Sequence, residues 1–198
     1  MKQVVIIHGG DSFTSRREYL AFLRSMNITR ASLKPRLGWK ANLQSDLGRG
    51  WQVVQPAMPN KGNARYGEWK VWFEKYRPFI TSGTLFIGHS LGGIFLAKYF
   101  SENQWPKKIG AIILVAAPHN RTKGIGDFRL VKPLTKLAKQ APLVFLFQSA
   151  SDPLVSFSEM TAYHRALPNA KVHTLSRRGH FTQGHFPELV RLLKTIRP

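Results

Sequence analysis

The sequence predicts a three-layer α/β/α sandwich, a mostly parallel sheet of about six strands with helices on both faces. Three observations predict it. Short apolar runs recur along the chain, each of a length suited to a strand buried on both faces. Segments of helical periodicity separate them, so strands are joined by crossovers and run parallel. The length of 198 residues suits one domain over 1–198, able to bury roughly 70% of its unfolded surface without staples.

The strands are expected at 4–7 (VVII), 51–55 (WQVVQ), 84–88 (TLFIG), 111–117 (AIILVAA), 143–148 (LVFLFQ) and 171–175 (KVHTL). A first helix is expected near 15–25, where Ser15 with Glu18 reads as a capping box. The stretch 26–50 is long for a connection and reads as an insertion, carrying a hairpin, a short helix or a flap. It holds five basic residues and one acid, which suit a lid, a docking surface or a solvated excursion. In the segment from Arg65 to Phe79, Tyr66, Trp69, Trp72, Phe73 and Tyr76 fall three or four apart and mark one face of a helix. Near the C-terminus Pro187 suits a first helical turn, and Leu189, Leu192, Leu193 and Ile196 share one side. There is little room after the strand ending near Ala117 for a separate cap domain.

Composition excludes several chemistries. The chain has no cysteine, so disulfides, thiolate nucleophiles and cysteine-ligated zinc are absent, in keeping with a reducing, cytoplasmic setting. No apolar run reaches the length of a membrane span or of a signal-peptide core. Thirty Lys and Arg against ten Asp and Glu give a formal charge of +20, a field attractive to nucleic acid, anionic membrane or acidic partners. The basic residues are spread along the chain without a nucleic-acid-binding signature, which favours a general basic surface over a nucleic-acid function.

The segment that carries chemistry is TLFIGHSLGGIFLAKYF, residues 84–100. An apolar strand runs into Gly88-His89-Ser90-Leu91-Gly92 and a helical pattern follows at once. A G-x-S-x-G between strand and helix is a nucleophile elbow, with the serine on a strained turn and glycines where side chains would collide with backbone. In that architecture the order is Ser, then an acid, then His. Between Ser90 and the terminal histidines lie only Glu102, Asp127, Asp152 and Glu159. Glu102 and Glu159 fall in helical segments. Asp152 follows a buried strand directly, where open α/β sheets gather catalytic groups, with Asp127 in reserve. Two Gly-His-Phe triplets compete for the base. His180 follows the last strand by a few residues and can reach back over the sheet, whereas His185 stands at the start of the final helix and suits a capping or surface role. His164 lies in a helix and His173 in a strand. After the first strand, His8-Gly9-Gly10 forms a turn whose Gly10 N–H pairs with that of Leu91 as an oxyanion hole. His8 then orders the loop and His89 packs beside the elbow. Arg177 and Arg178 read as a solvated pair, or as a bias toward anionic esters.

HGG after the first strand, GHSLGG, SASDPLVSF and RRGHF resemble the small capless α/β-hydrolases of the retinoblastoma-binding protein nine and YdeN-like group, over nearly the whole chain. The chain departs from the group in the length of 26–50 and in its positive charge. The resemblance implies a serine hydrolase with Ser90, Asp152 and His180 as triad and no cofactor. The residues themselves point to no metal and to a small acyl ester or related carbonyl compound as substrate. A protein-binding module on a hydrolase scaffold and a basic nucleic-acid-associated protein are the alternative readings, and a protein partner is compatible with either.

Overall fold

The computed structural model describes residues 1–33 and 38–197. Its six strands are β1 (Lys2–Ile7), β2 (Trp51–Val54), β3 (Thr84–His89), β4 (Ile109–Val115), β5 (Val144–Ser149) and β6 (Lys171–Leu175). They form one sheet in the order β2-β1-β3-β4-β5-β6. Every neighbouring pair is parallel, so the sheet is wholly rather than mostly parallel. Each strand divides its side chains between two cores by the period of two. Val5, Ile7, Phe86, Ile112, Leu114 and Leu146 face one core, and Val4, Ile6, Leu85, Ile87, Ile113 and Phe147 face the other.

Helices cover both faces. The first core receives α3 (Tyr66–Tyr76), α4 (Leu91–Glu102), α5 (Thr135–Gln140) and α6 (Phe157–Ala166). The second receives α2 (Trp39–Leu47) and α7 (Pro187–Thr195). In α3, Trp69 and Phe73 are buried, whereas Trp72 is substantially exposed. Phe73 follows Trp69 by four residues and shares its stripe, while Trp72 falls on the flank of that stripe and leaves the core face expected for it. In α7, Leu189 and Leu193 are buried and Ile196 packs just beyond the helix end. No separate domain interrupts the described chain between β4 and β5, and no described helix is long and apolar enough to cross a membrane.

The stretch 26–50 holds a single turn of 3-10 helix (Arg30–Leu33) and then α2, with 34–37 outside the described residues. Trp39, Leu43 and Leu47, spaced by four, bury one face of α2 against the sheet. The Trp39 N–H donates to Gln183 O at 2.7 Å, and its indole Nε1 donates to Phe181 O at 3.0 Å. These bonds tie the start of α2 to the loop after β6, at the carboxyl edge of the sheet, and α2 then runs down to enter β2 at its opposite end. The chain leaves the sheet after β1 and is therefore back at the same edge by residue 38. Within that excursion α1 (Arg16–Ser25) buries no residue. Ser15 Oγ accepts from the Glu18 N–H at 3.1 Å, but the Glu18 carboxylate reaches back to the Thr14 N–H at 2.9 Å, one residue further than a capping box.

Packing α2 also draws Lys40 into the protein. A cation in the first turn opposes the helix dipole, and desolvation by burial lowers its pKa from 10.5 to about 8.

Trp39→Ala removes a buried ring and the anchor for Phe181, and is expected to cost about 3–5 kcal/mol in chemical denaturation. Because the folded state releases the Lys40 proton near pH 8 and the unfolded chain holds it to about 10.5, wild-type stability should rise relative to Lys40→Met across that interval. The expected gain is about 2 kcal/mol, read from denaturation midpoints at successive pH values.

Candidate active site

The sheet order makes β1 and β3 neighbours although their crossovers leave in opposite directions, and such a switch point opens a crevice at the carboxyl tips. Ser90 rises from the tip of β3 with φ 56° and ψ −125°, a conformation that costs a non-glycine residue of order 1–3 kcal/mol. The turn is over-determined. Its N–H donates to Val115 O at 2.9 Å, and a Cβ at Gly92 would lie 2.3 Å from Ile7 O. A Cβ at Gly88 would lie 2.4 Å from Gly92 O. The described non-glycine residues with positive φ are Asn60, Ser90, Ala116 and Phe181, all in loops that follow strand tips, so backbone strain gathers along this edge.

The loop after β1 lies against the serine. A Cβ on Gly9 would come 3.0 Å from Ser90 Cβ and one on Gly10 2.4 Å from Lys61 O. His8 fixes this loop: its Nε2 accepts from the Met58 N–H at 3.0 Å, leaving Nδ1 to donate to Gly9 O at 2.7 Å. Desolvation by burial lowers its pKa, which keeps that ring neutral and structural. Among the described residues no hydrogen bond takes up the N–H of Gly10, and Leu91 opens α4, where N–H groups have no partner within the helix. Neither N–H has an acceptor among the described residues, and that of Leu91 lies at the positive end of the α4 dipole.

The loop after β5 supplies Asp152, whose side chain is fully buried. It accepts from the Leu154 and Val155 N–H groups at 2.9 and 3.0 Å, and His180 Nδ1 stands 2.9 and 3.1 Å from its two oxygens. Desolvation would raise the pKa of this carboxyl, but the bonds from His180 and the two amides outweigh it and the net shift is downward. The charged carboxylate therefore holds the imidazole with Nδ1 protonated. The His180 loop is pinned from below. Ser149 Oγ accepts from the Arg178 N–H at 3.0 Å, Ser151 Oγ accepts from the Gly179 N–H at 3.2 Å, and Phe181 is buried at φ 53°.

His89, the residue before Ser90, couples the two loops. Its Nε2 donates to His180 O at 2.9 Å, and the two rings lie 4.9 Å apart. Its Nδ1 accepts from Lys40 Nζ at 3.3 Å. Desolvation by burial holds the His89 pKa well below its usual value, so it remains the neutral Nε2–H tautomer that this arrangement requires. Nothing in the sequence marks Lys40 as a site residue, since the length of 26–50 signals an insertion, although the spacing of Trp39, Leu43 and Leu47 signals a helix there.

The remaining candidates serve the fold. Asp127 accepts from the Tyr66 N–H at 3.1 Å and caps α3. Glu102 accepts from Tyr66 Oη. Glu159 is buried and holds the His119 N–H at 2.6 Å. His173 stacks on Phe147 at 4.4 Å, and His164 is exposed on α6. His185 is exposed and pairs with Asp46 at 3.0 Å. Arg178 is not half of a solvated pair: both Glu188 oxygens lie 2.6 Å from its Nη2, while Arg177 is exposed. No cluster of metal-ligating side chains occurs among the described residues.

Comparisons with known proteins agree with this architecture. The Serine hydrolase family model matches residues 34–194. The rat (Rattus norvegicus) protein Serine hydrolase RBBP9 is 28% identical over 169 residues, covering 80% of this chain and 86% of its own. The structure of the YdeN gene product of B. subtilis superposes with a TM-score of 0.75 at 21% identity, over 98% of both chains. A YdeN-like hydrolase from Pectobacterium atrosepticum gives 0.67 at 17% identity, over 98% of this chain and 90% of its own. The chain belongs to the Serine hydrolase family, on the α/β-hydrolase fold.

Proposed function

We propose that Ser90 is the nucleophile, His180 the general base and Asp152 its orienting acid in the hydrolysis of a small carboxylic ester or related acyl compound. The observation that carries this reading is the His180–Asp152 pair, whose loop is bonded through His89 to the strained turn bearing Ser90. In the mechanism His180 Nε2 takes the Ser90 proton as Oγ attacks the carbonyl carbon. Asp152 fixes the tautomer and stabilises the imidazolium. The N–H groups of Gly10 and Leu91 receive the tetrahedral oxyanion, each contributing about 3 kcal/mol to the transition state. His180 then protonates the leaving group, the acyl-enzyme forms, and the same histidine activates water to release the acid. The chemistry uses no cofactor. We read 1–198 as one hydrolase domain with an insertion over about 26–50, of which α2 packs as a core helix. A cysteine-free enzyme of this kind suits a cytoplasmic setting.

A fluorophosphonate probe should label the wild type and leave Ser90→Ala unlabelled. Labelling without turnover on any ester, thioester or amide would favour a binding protein on a hydrolase scaffold. Asp152→Asn is expected to lower kcat about 10,000-fold on the best ester of that panel, since it leaves the imidazole in the wrong tautomer. Gly10→Ala forces the loop off Lys61 O and should lower kcat about 100-fold with a smaller change in KM. An effect confined to KM would remove Gly10 from the oxyanion hole.

A further inference from the structure

Residues 16–33 bear four arginines, Arg16, Arg17, Arg24 and Arg30, against the single acid Glu18, which is committed to Thr14. Four large apolar side chains on the same arm face solvent: Leu23 is 45% exposed, Met26 50%, Ile28 69% and Leu33 76%. On α1 the residues Ala21, Phe22 and Glu18 turn toward a groove of about 640 Å³, shared with Asp11, Phe13 and Ile125. By helical spacing Leu23 then points away from the groove, flanked by Arg16 and Arg24. The arm follows the His8-Gly9-Gly10 loop, which lies against Ser90. The other loops of that edge add exposed Val131 and Leu154, together with Lys123, Lys132 and Arg177.

We propose that this arm is a docking surface for an anionic lipid bilayer, with Leu23, Met26, Ile28 and Leu33 entering the acyl boundary and the arginines resting on the headgroups. An arm that sets arginines among exposed aliphatic side chains of α1, its C-cap and the turn that follows, on a chain of formal charge +20, matches such a surface in both respects. A second copy of the chain would bring the same positive arm against itself. Nucleic acid answers the charge but offers the four aliphatic side chains nothing to enter. Docking would set the mouth of the groove and the Ser90 crevice at the headgroup level, where acyl esters are presented. The binding itself does not depend on Ser90 being a nucleophile.

Vesicle flotation tests the proposal, using phosphatidylcholine vesicles with and without phosphatidylglycerol. The full chain should float with the anionic vesicles, stay behind with the neutral ones, and be released by about 0.5 M salt. Ile28→Glu and Leu33→Glu should each weaken anionic-vesicle binding about tenfold. Phe79→Glu, an equally exposed position before β3 at the opposite edge, should leave binding unchanged, and Ser90→Ala should float like the wild type even if the hydrolase reading fails. As a measurement free of variants, anionic vesicles should slow tryptic cleavage at Arg24 and Arg30 several-fold. Equal binding to neutral vesicles, indifference to Ile28 and Leu33, or capture by an RNA oligonucleotide with no flotation would overturn it.

Discussion

The site depends on a backbone contact with no room for side chains. Where α4 begins, its first turn lies against the carbonyls at the tip of β1, and a Cβ at Gly92 would lie 2.3 Å from Ile7 O. That approach forces the chain to turn sharply at Ser90, and the turn holds the serine at φ 56°. The same closeness brings the His8-Gly9-Gly10 loop against the serine, where a Cβ on Gly9 would come 3.0 Å from Ser90 Cβ. Strain at Ser90 is sustained because two parallel strands, β1 and β3, are registered along their length and cannot separate to relieve it.

A second contact ties the loop of His180 to the strand that carries the elbow. His89 is buried and neutral, and it transmits the position of the elbow to the carbonyl of His180. Trp39 reinforces the link from α2 through its bond to Phe181 O, and Asp152 fixes the other side of the imidazole. The loop after β6 is thus held from three directions, by groups from β3, α2 and the loop after β5. Pre-organisation of this kind spares the reaction the reorganisation that water would require.

The fold was legible because burial on both faces leaves apolar runs that cannot be hidden: all six strands stand where those runs occur. The Ser90 motif was legible because close backbone approach demands glycine, and glycine is visible in sequence. Asp152 could be singled out because acids are few and each of the others sits in a helix or after a different strand. What was not legible rests on contacts between distant segments. The Arg178–Glu188 and His185–Asp46 pairs join residues whose proximity only the tertiary structure sets. Lys40 acquires its role by being carried to His89 on a helix whose spacing was masked by polar neighbours. Trp72 satisfies the helical interval of its neighbours yet falls outside the buried stripe, since a step of three turns it about 60° away from Trp69.

The most direct measurement is a crystal structure of the protein after reaction with a fluorophosphonate. The account predicts phosphorus bonded to Ser90 Oγ, one phosphonyl oxygen about 3 Å from the N–H groups of both Gly10 and Leu91, and His180 Nε2 against the bonded oxygen. A modified residue other than Ser90, or an oxygen turned away from both amides, would contradict it.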